Sequence, residues 1–429
     1  MSFAPVPPRA DHTVSYLTDV EGQWERLATF VAGNPHLALV DEALLIRPGA
    51  TFVFGGDAID RGAHGRTIVR LLLDCKRRQP DQLVLLAGNR DINKLRLVTE
   101  LEGAPPRHAP EQLLRGPRAA LLRWIFEHTM GAALAFDCRR QELASGGSTV
   151  TDDEVVQSFL DDLAPTGELS EYLGACQLAW RAGHTLFVHG GVAAEALTQV
   201  PGRVATELAR LEVDRWIEEL NAFYCEHQRA FVARARDLDG KRQWRALIRY
   251  QAPLPGTRSN PGSVVYGRFG DADNNPTLPA PDVVDALVRS GVQRVVVGHT
   301  PNGDIASVVR TAAPRAPFEV ILADNSRSRV SCACRLTVRD EAVRLEGRLL
   351  PDEGDERAVD ATVVLEERAS PVGLRAADGS LVKVDADQGV HLFRYLPGYQ
   401  FSQRIVERSA LGPLHEAAPA ALDDDGSAG

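Results

Sequence analysis

The chain has 429 residues, of which 44% are hydrophobic and 25% are charged, so its composition predicts folded domains with ordinary cores. Its formal net charge of −10 disfavours binding to nucleic acid or to an anionic membrane surface. No run of about 18 apolar residues occurs and the N-terminus lacks the pattern of a signal peptide, so neither a membrane span nor a leader is expected.

The first hundred residues alternate short apolar runs with helical patterns. Strands are predicted at 14–17, 51–54 and 83–87, each followed by a helix, including one over 66–76. Two later apolar runs, at 185–189 and 294–299, predict strands of the same kind. Buried strands that alternate with helices indicate βαβ units. The predicted fold class is therefore α/β, with a layered β-sheet core flanked by helices.

Two long helical insertions interrupt this pattern, at about 100–182 and about 200–262. After Val330 the pattern changes to strand alternation, and the segment PDEGDER is typical of a linker or exposed turn. The expected organisation is one large domain over 13–350 that contains both insertions, a β-rich C-terminal region over 351–414 and a disordered tail over 415–429.

Basic residues concentrate between Arg229 and Arg249, in the second insertion. The stretch contains Arg234, Arg236, Lys241, Arg242 and Arg245. Two interpretations stay open, a solvated helix face or a rim that attracts a phosphorylated substrate.

The six cysteines are scattered, and only Cys332 and Cys334 lie close together. A C-x-C pair alone is a weak signal for a metal or redox site, so idle thiols are expected. This use of cysteine indicates a reducing compartment, and we expect a cytoplasmic protein.

Polar residues and glycines cluster just past the C-terminal ends of the predicted strands. The clusters are DVEG (19–22), GGDAIDRG (55–62), GNRD (88–91), HGG (189–191) and GHTP (298–301). Ligands bind at those strand ends in α/β sheets, and carboxylates, amides and imidazoles are metal ligands. One such cluster alone is typical of a turn, but five at successive strand ends predict a metal site.

The order of these motifs resembles the calcineurin-like metallophosphoesterases, and within them the serine/threonine protein phosphatase branch and its bacterial relatives. That branch carries G-D-x-H-G, G-D-x-x-D-R-G, G-N-H-E, H-G-G and a late G-H-T, and the match is specific at GGDAIDRG, HGG and GHT. The resemblance covers about residues 13–330. It implies a metallophosphoesterase-like sandwich and makes 13–350 the metallophosphoesterase domain.

The resemblance also implies two divalent metal ions, with manganese first and magnesium, iron or zinc as alternatives. Asp19 would bind the first ion and Asp57 would bridge both, while Asn89, His189 and His299 would complete the second site. A hydroxide bridging the two ions would attack phosphorus in line, since bound metals lower the pKa of water and neutralise phosphoryl charge.

Two positions depart from the family pattern. Glu21 stands where a metal-binding histidine is expected, and it either binds the first metal through oxygen, which favours Mn²⁺ or Mg²⁺, or pairs with Arg90. Arg90 stands where the family has the histidine usually taken as general acid, and arginine cannot serve as an acid near neutral pH. Leaving-group protonation then falls to Asp91, to water or to nothing.

The remaining candidates are substrate contacts. Arg61 would hold a phosphate oxygen through its planar guanidinium, and Arg90 and Lys94 are expected to reach the same phosphate. The residues expected to take part in catalysis are Asp57, Arg61, Arg90 and Asp91. Further candidates for the cleft are Asp324, Asn325, Arg258 and Arg268.

Three functions stay open at this point. The first is a phosphomonoesterase, including a protein phosphatase. The second is a hydrolase of nucleotides or dinucleoside polyphosphates, which the absence of a histidine at position 90 favours slightly. The third is a phosphate-binding protein that kept the fold but lost efficient catalysis. The expected partner is a phosphorylated protein or small molecule, without nucleic acid or membrane.

Overall fold

The structure, a computed structural model, describes residues 4, 6, 13–386, 389–397 and 400–417. The tail expected over 415–429 lies outside the described residues from 418 onward, whereas His415–Glu416 form a short strand.

The strands are short, as expected for an α/β core. Their bounds are β1 (Thr13–Leu17), β2 (Leu37–Val40), β3 (Ala43–Ile46), β4 (Ala50–Phe54), β5 (Leu83–Leu85), β6 (Ala179–Ala182), β7 (Thr185–Val188), β8 (Arg294–Val297), β9 (Ser307–Arg310), β10 (Glu319–Leu322), β11 (Arg335–Val338), β12 (Ala342–Leu349), β13 (Arg357–Val364), β14 (Leu374–Arg375), β15 (Leu381–Ala386), β16 (Gly389–Leu396), β17 (Gln400–Val406) and β18 (His415–Glu416).

The helices lie between the core strands and in the insertions. Their bounds are α1 (Trp24–Ala32), α2 (Gly65–Arg78), α3 (Asn89–Asn93), α4 (Leu97–Glu100), α5 (Glu111–Leu114), α6 (Arg118–Thr129), α7 (Ala135–Leu143), α8 (Asp152–Asp162), α9 (Glu168–Ala175), α10 (Ala194–Thr198), α11 (Val213–Val232), α12 (Arg245–Tyr250) and α13 (Pro281–Arg289).

Two mixed sheets form the centre of the fold. The first has the strand order β13-β12-β11-β1-β4-β5, and the second has the order β6-β7-β8-β10-β9. Within them β1, β4 and β5 run parallel, as do β7, β8 and β10. Because parallel neighbours end at one edge of a sheet, the polar clusters that follow these strands are brought together.

The two sheets pack face to face, which explains their continuous apolar runs. Tyr16 on β1 stacks on Phe187 on β7 with ring centroids 5.9 Å apart. Val53 and Val296 lie in the same buried cluster between the sheets. The outer faces are covered by helices, so strands buried on both sides lack polar alternation. The predicted layered α/β fold is confirmed.

The insertions are largely helical, as predicted. Helices α5–α9 fill the first, which ends in strand β6 at Ala179–Ala182. The second contains α11 and α12, and α11 buries Trp216, Leu220 and Phe223 at helical spacing. The hairpin β2–β3, with four residues in each strand, is absent from the sequence prediction.

The C-terminal region divides between two sheets. Strands β11, β12 and β13 extend the first central sheet next to β1, whereas β14–β18 form a sheet of their own. Strands β12 and β13 pair along their whole length, from Ala342 opposite Val364 to Leu349 opposite Arg357. Residues on both sides of position 351 therefore belong to one sheet, and the C-terminal region expected over 351–414 does not begin at residue 351. We propose that the boundary of the C-terminal unit lies after Val364. All six cysteines are free thiols.

Candidate active site

The five polar clusters converge where the parallel strands end, and their backbone is unusual. Asp19, Glu21, Asp57, Asp60 and His299 all have positive φ angles, of 53°, 50°, 56°, 120° and 65°. Positive φ is uncommon outside glycine and costs on the order of 1–3 kcal/mol for such a residue. Five of these residues in one place indicate that the turns are shaped to aim side chains at a common point.

Three buried side chains form what we call the metal cluster: Asp19, Asp57 and His189. Each offers a ligand atom, and the three atoms all lie within 4.8 Å of one another. The Asp57 Oδ1 atom is 3.6 Å from His189 Nε2. Burial raises the pKa of Asp19 well above its usual range, and Asp324 and Asp57 raise it further. A cation would relieve this crowding of buried carboxylates.

Asn89 and His299 complete the same group. Asn89 Oδ1 lies 3.2 Å from His189 Nε2 and 2.8 Å from His299 Nδ1. The other ring nitrogen of His189, Nδ1, is 2.8 Å from the Gly55 carbonyl oxygen, which can only accept a hydrogen bond. In neutral His189 the Nε2 lone pair therefore faces the oxygens of Asn89 and Asp57. Oxygen and nitrogen acceptors that face one another in this way fit a divalent metal, and the Gly55 carbonyl fixes the required tautomer of His189.

His299 has the protonation state that metal binding requires. Burial lowers its pKa well below the usual range, and Arg268, His189 and Arg90 lower it further. The neutral imidazole is the form that binds metals. A backbone contact also ties this residue to the cluster, since the His299 N–H donates to Asp19 Oδ2 at 3.0 Å.

Glycine at position 88 is required by close packing. A Cβ atom there would overlap the Asp57 carboxylate and the Asp57 backbone nitrogen. The absence of a side chain lets the β5 turn approach the β4 turn, which places Asn89 beside Asp57.

Glu21 lies outside the metal cluster and pairs with arginines. Its Oε1 is 2.5 Å from Arg90 Nε, and its Oε2 is 3.1 Å from Arg61 Nε. Burial raises its pKa to about 7, while Arg90 and Arg61 act in the opposite direction. Of the two arrangements left open by the sequence, the structure shows pairing with Arg90, and Glu21 is not among the three residues of the metal cluster. We call Arg61 and Arg90 the arginine pair.

Arg90 connects Glu21 to two further carboxylates. Its Nε is 3.6 Å from Asp57 Oδ2, and its Nη1 is 3.5 Å from Asp60 Oδ2. Its Nη1 also donates to the Gly131 carbonyl of the first insertion, at 3.2 Å. The guanidinium is thus held by several groups at the wall of the cleft.

Asp91 has a structural position, which corrects its assignment as a catalytic acid. Its carboxylate accepts hydrogen bonds from the backbone N–H groups of Asp57 and Ala58, both at 2.9 Å, and of Gly88, at 3.0 Å. Its side chain is fully buried and does not line the cleft. Burial, and then Asp57, raise its pKa to about 7. Asp91 holds the β4 and β5 turns together.

Lys94 does not reach the cleft either, which corrects its assignment as a substrate contact. Its fully buried ammonium lies 2.7 Å from Asp60 Oδ2 and also donates to Asn93 Oδ1 and the Arg90 carbonyl, both at 2.9 Å. A buried lysine with these partners has no hydrogen left for a substrate phosphate.

A cleft of about 430 Å³ opens above the metal cluster. Besides the cluster and the arginine pair, its walls include residues that sequence reasoning missed. These are Arg96, Glu127, His128, Met130, Tyr266 and Arg327. They come from the turn between α3 and α4, the first insertion, the 251–268 loop and the turn after β10, where no motif marks them. Asp324 and Arg268, noted as candidates, line the cleft as well.

The C-terminal sheet holds the loop that follows His299. The Tyr395 hydroxyl donates to the Pro301 carbonyl, and the Lys383 ammonium donates to the Asn302 carbonyl. Gln403 exchanges two hydrogen bonds of 3.1 Å with Asp304. The described residues beyond Val364 thus position the 301–304 loop without lining the cleft themselves.

A sequence comparison assigns this constellation to a family. The family profile described as Calcineurin-like phosphoesterase matches residues 12–303. The chain belongs to the calcineurin-like phosphoesterase family. It is therefore a phosphoesterase, a hydrolase of a family that uses divalent metals and acts on phosphorylated substrates. No curated protein matches the sequence.

Several solved structures are similar to this calcineurin-like phosphoesterase at low identity. A cold-active protein-tyrosine phosphatase of a Shewanella species is 15% identical over 83% of each chain, with a TM-score of 0.46. A serine/threonine phosphatase of Saccharomyces cerevisiae is 12% identical over 84% of each chain, with a TM-score of 0.37. A metallophosphoesterase of Sphaerobacter thermophilus is 10% identical over 76% of this chain and 83% of that one, with a TM-score of 0.29. Among the described residues, the helices are all too short or too polar to cross a membrane.

Proposed function

We propose that this phosphoesterase hydrolyses a phosphate monoester, including phosphoprotein, with two divalent metal ions at the floor of the cleft. The observation that carries the proposal is the convergence of the metal cluster with Asn89 and His299 directly below the arginine pair. Manganese is the first choice of metal, with magnesium, iron or zinc as alternatives, because oxygen ligands accompany the imidazoles.

The proposed ligands are the carboxylates of Asp19 and Asp57, the amide oxygen of Asn89 and the imidazoles of His189 and His299. Divalent ions bound there would supply Lewis acidity and neutralise phosphoryl charge. The chain contributes fixed positions, since the strained turns and buried hydrogen bonds hold these side chains before any substrate arrives.

The arginine pair is proposed to orient the phosphoryl group. Glu21 holds both guanidiniums on one side of the cleft, and Arg61 keeps a fifth of its side chain exposed. The planar guanidinium fork suits phosphate oxygens. Because Arg61 has no second carboxylate within 4 Å among the described residues, its remaining donors are available to substrate.

The second candidate function, hydrolysis of a nucleotide or dinucleoside polyphosphate, is favoured by one observation. Arg90 replaces the expected acid, and Asp91 is turned into the protein, so neither donates a proton to a leaving group. A phosphate or aryl leaving group needs little protonation. Arg96, Arg268 and Arg327 at the cleft walls would also suit a longer anion.

A substrate screen with the Mn²⁺-loaded protein tests these functions together. It would compare phosphopeptides, nucleotides, dinucleoside polyphosphates, p-nitrophenyl phosphate and phenyl phosphate. We expect turnover of the aryl esters to fall steeply from nitrophenyl to phenyl, because the poorer leaving group receives no proton. Asp57→Asn is the control, since it removes the charge at the centre of the metal cluster. Turnover equal to that of Asp57→Asn on every substrate would instead favour a phosphate-binding protein.

A further inference from the structure

A second groove, separate from the catalytic cleft, lies between the two insertions. Its volume is about 540 Å³, within the range of small-molecule sites. Its lining brings together Arg118 of the first insertion with Arg234, Arg236 and Arg242 of the second. None of the described basic residues between 229 and 249 lines the catalytic cleft, so this stretch is not the rim of that cleft.

A hairpin places two of these arginines side by side. Arg236 and Arg242 are partners in an antiparallel bridge, closed by a hydrogen bond of 2.8 Å from the Asp237 N–H to the Lys241 carbonyl. Bridge partners project to the same side of a hairpin, and like charges directly opposite one another are destabilising. Arg234 leads into the hairpin with a φ of 53°, a conformation that favours glycine. The chain therefore maintains an unfavourable pairing of charge at this position.

The positive charges of the groove are only partly balanced by carboxylates of the protein. None of its four arginines forms an ion pair within 4 Å among the described residues, whereas Arg203 and Arg215 of the same insertion pair with Glu226 at 3.2 Å and Glu219 at 3.0 Å. The Nη1 atom of Arg242 is buried and has no hydrogen-bond partner. Four arginines against the two lining carboxylates, Glu102 and Asp161, leave an excess of two positive charges.

The floor of the groove is apolar and rigid. Trp244 is 3% exposed, packs edge-to-face on Phe231 and carries the Arg242 guanidinium 5.6 Å above its ring. Val98 and Leu160 lie alongside. The Arg242 guanidinium is therefore backed by a packed aromatic side chain, whereas Arg118 and Arg236 are exposed.

We propose that this groove is a binding site for a small anion that carries two or more phosphoryl groups. Arg236 and Arg242 stand opposite each other in the bridge, so their guanidiniums can reach adjacent phosphoryl groups of one ligand. The excess of two positive charges and the limited volume favour such a ligand over a protein segment. The site is distinct from the catalytic cleft and does not depend on the proposed substrate.

Calorimetric titration with methylenediphosphonate, a non-hydrolysable diphosphonate, tests the proposal. The full chain would be used with the same excess of Mg²⁺ in cell and syringe. We expect two binding events in the wild type, one in the cleft and one in the groove. The double variant R236Q/R242Q should weaken the groove event at least tenfold. Inhibition of turnover by methylenediphosphonate reports binding in the catalytic cleft, and it should be the same in R236Q/R242Q as in the wild type.

Two controls make the result specific. The variant R203Q/R215Q removes the same charge from the same insertion and should keep both events. The ligand-free double variant R236Q/R242Q should melt at or above the wild-type temperature, because the opposed charges are gone. Equal binding by wild type and R236Q/R242Q would overturn the proposal. Binding of a polyglutamate peptide in the groove without binding of methylenediphosphonate would also overturn it, in favour of an acidic protein partner.

Discussion

Replacing Glu21 by glutamine tests whether this residue positions the arginine pair or binds metal. The side chain of Glu21 is 3% exposed and contacts Arg90 at 2.5 Å and Arg61 at 3.1 Å. Glutamine keeps the shape and removes the charge. Arg90 would keep Asp57 and Asp60 as more distant partners, whereas Arg61 would keep no described carboxylate within 4 Å. The change should therefore act mainly through Arg61.

The expected magnitude follows from these contacts. Breaking a buried ion pair by removing one partner costs about 3–5 kcal/mol. Arg61 can partly reach water and Arg90 keeps two carboxylates, so we expect a loss of about 2 kcal/mol in unfolding free energy. If the same energy is lost in positioning the arginine pair, kcat/KM falls roughly 30-fold.

The assay combines stability, turnover and metal content. Urea denaturation and kcat/KM for p-nitrophenyl phosphate would be measured at pH 8, above the pKa of about 7 for Glu21, so that the wild-type carboxylate is ionised. Metal per chain would be measured by mass spectrometry and should not change. Glu127→Gln, an exposed acid at the wall of the same cleft, is the matched control. A loss of bound metal at unchanged stability would refute the assignment and make Glu21 a ligand.

Three further changes test the interior of the site. Lys94→Met should lower the unfolding free energy by about 3 kcal/mol, because it leaves the buried Asp60 carboxylate with only the more distant Arg90 as a charged partner. KM should stay within about twofold of wild type, and a large rise in KM would restore Lys94 as a substrate contact. Gly88→Ala should abolish metal binding by pushing the Asp57 carboxylate aside, whereas Gly146→Ala, with open space around it, should bind metal normally in the same assay. Burial lowers the pKa of Lys383 from 10.5 to about 7, so between these pH values the folded state binds fewer protons than the unfolded state. The unfolding free energy of the wild type should therefore rise with pH, by at most about 1.4 kcal/mol per pH unit from this residue. Lys383→Met should lack this contribution in denaturation at pH 7, 8 and 9, and a pH dependence identical to that of the wild type would contradict the assignment.

The sequence could predict which residues converge at the centre of the site because each proposed ligand follows an apolar run. Asp57 lies in the turn after β4, which ends at Phe54, and Asn89 lies after β5, which ends at Leu85; glycines mark both turns. Parallel strands carry such residues to one edge, so spacing along the chain becomes proximity in space. The same reasoning applies to His189 and His299, which follow β7 and β8.

The direction of a side chain could not be predicted in this way. Asp91 and Lys94 follow the same strand as Asn89, but α3 and the turn after it direct both into the protein, where backbone amides and Asp60 bind them. The cleft walls were missed for another reason. His128 comes from the first insertion and Tyr266 from the 251–268 loop, neither marked by a motif, and only tertiary packing brings them to the cleft.

The opposite charges at positions 21 and 90 depend on each other. Arg90 Nε lies 2.5 Å from Glu21 and 3.6 Å from Asp57, so Glu21 draws the guanidinium away from the central carboxylate of the metal cluster. With histidine at position 21 alone, Arg90 would pair with Asp57 and compete with the metal. With histidine at position 90 alone, Glu21 would keep a buried charge with one partner fewer. Each single replacement should therefore reduce turnover more than the double replacement does, since residues in contact are not additive. Strictly additive effects on kcat/KM would show that the two positions act independently and that the loss of both histidines is decay rather than compensation.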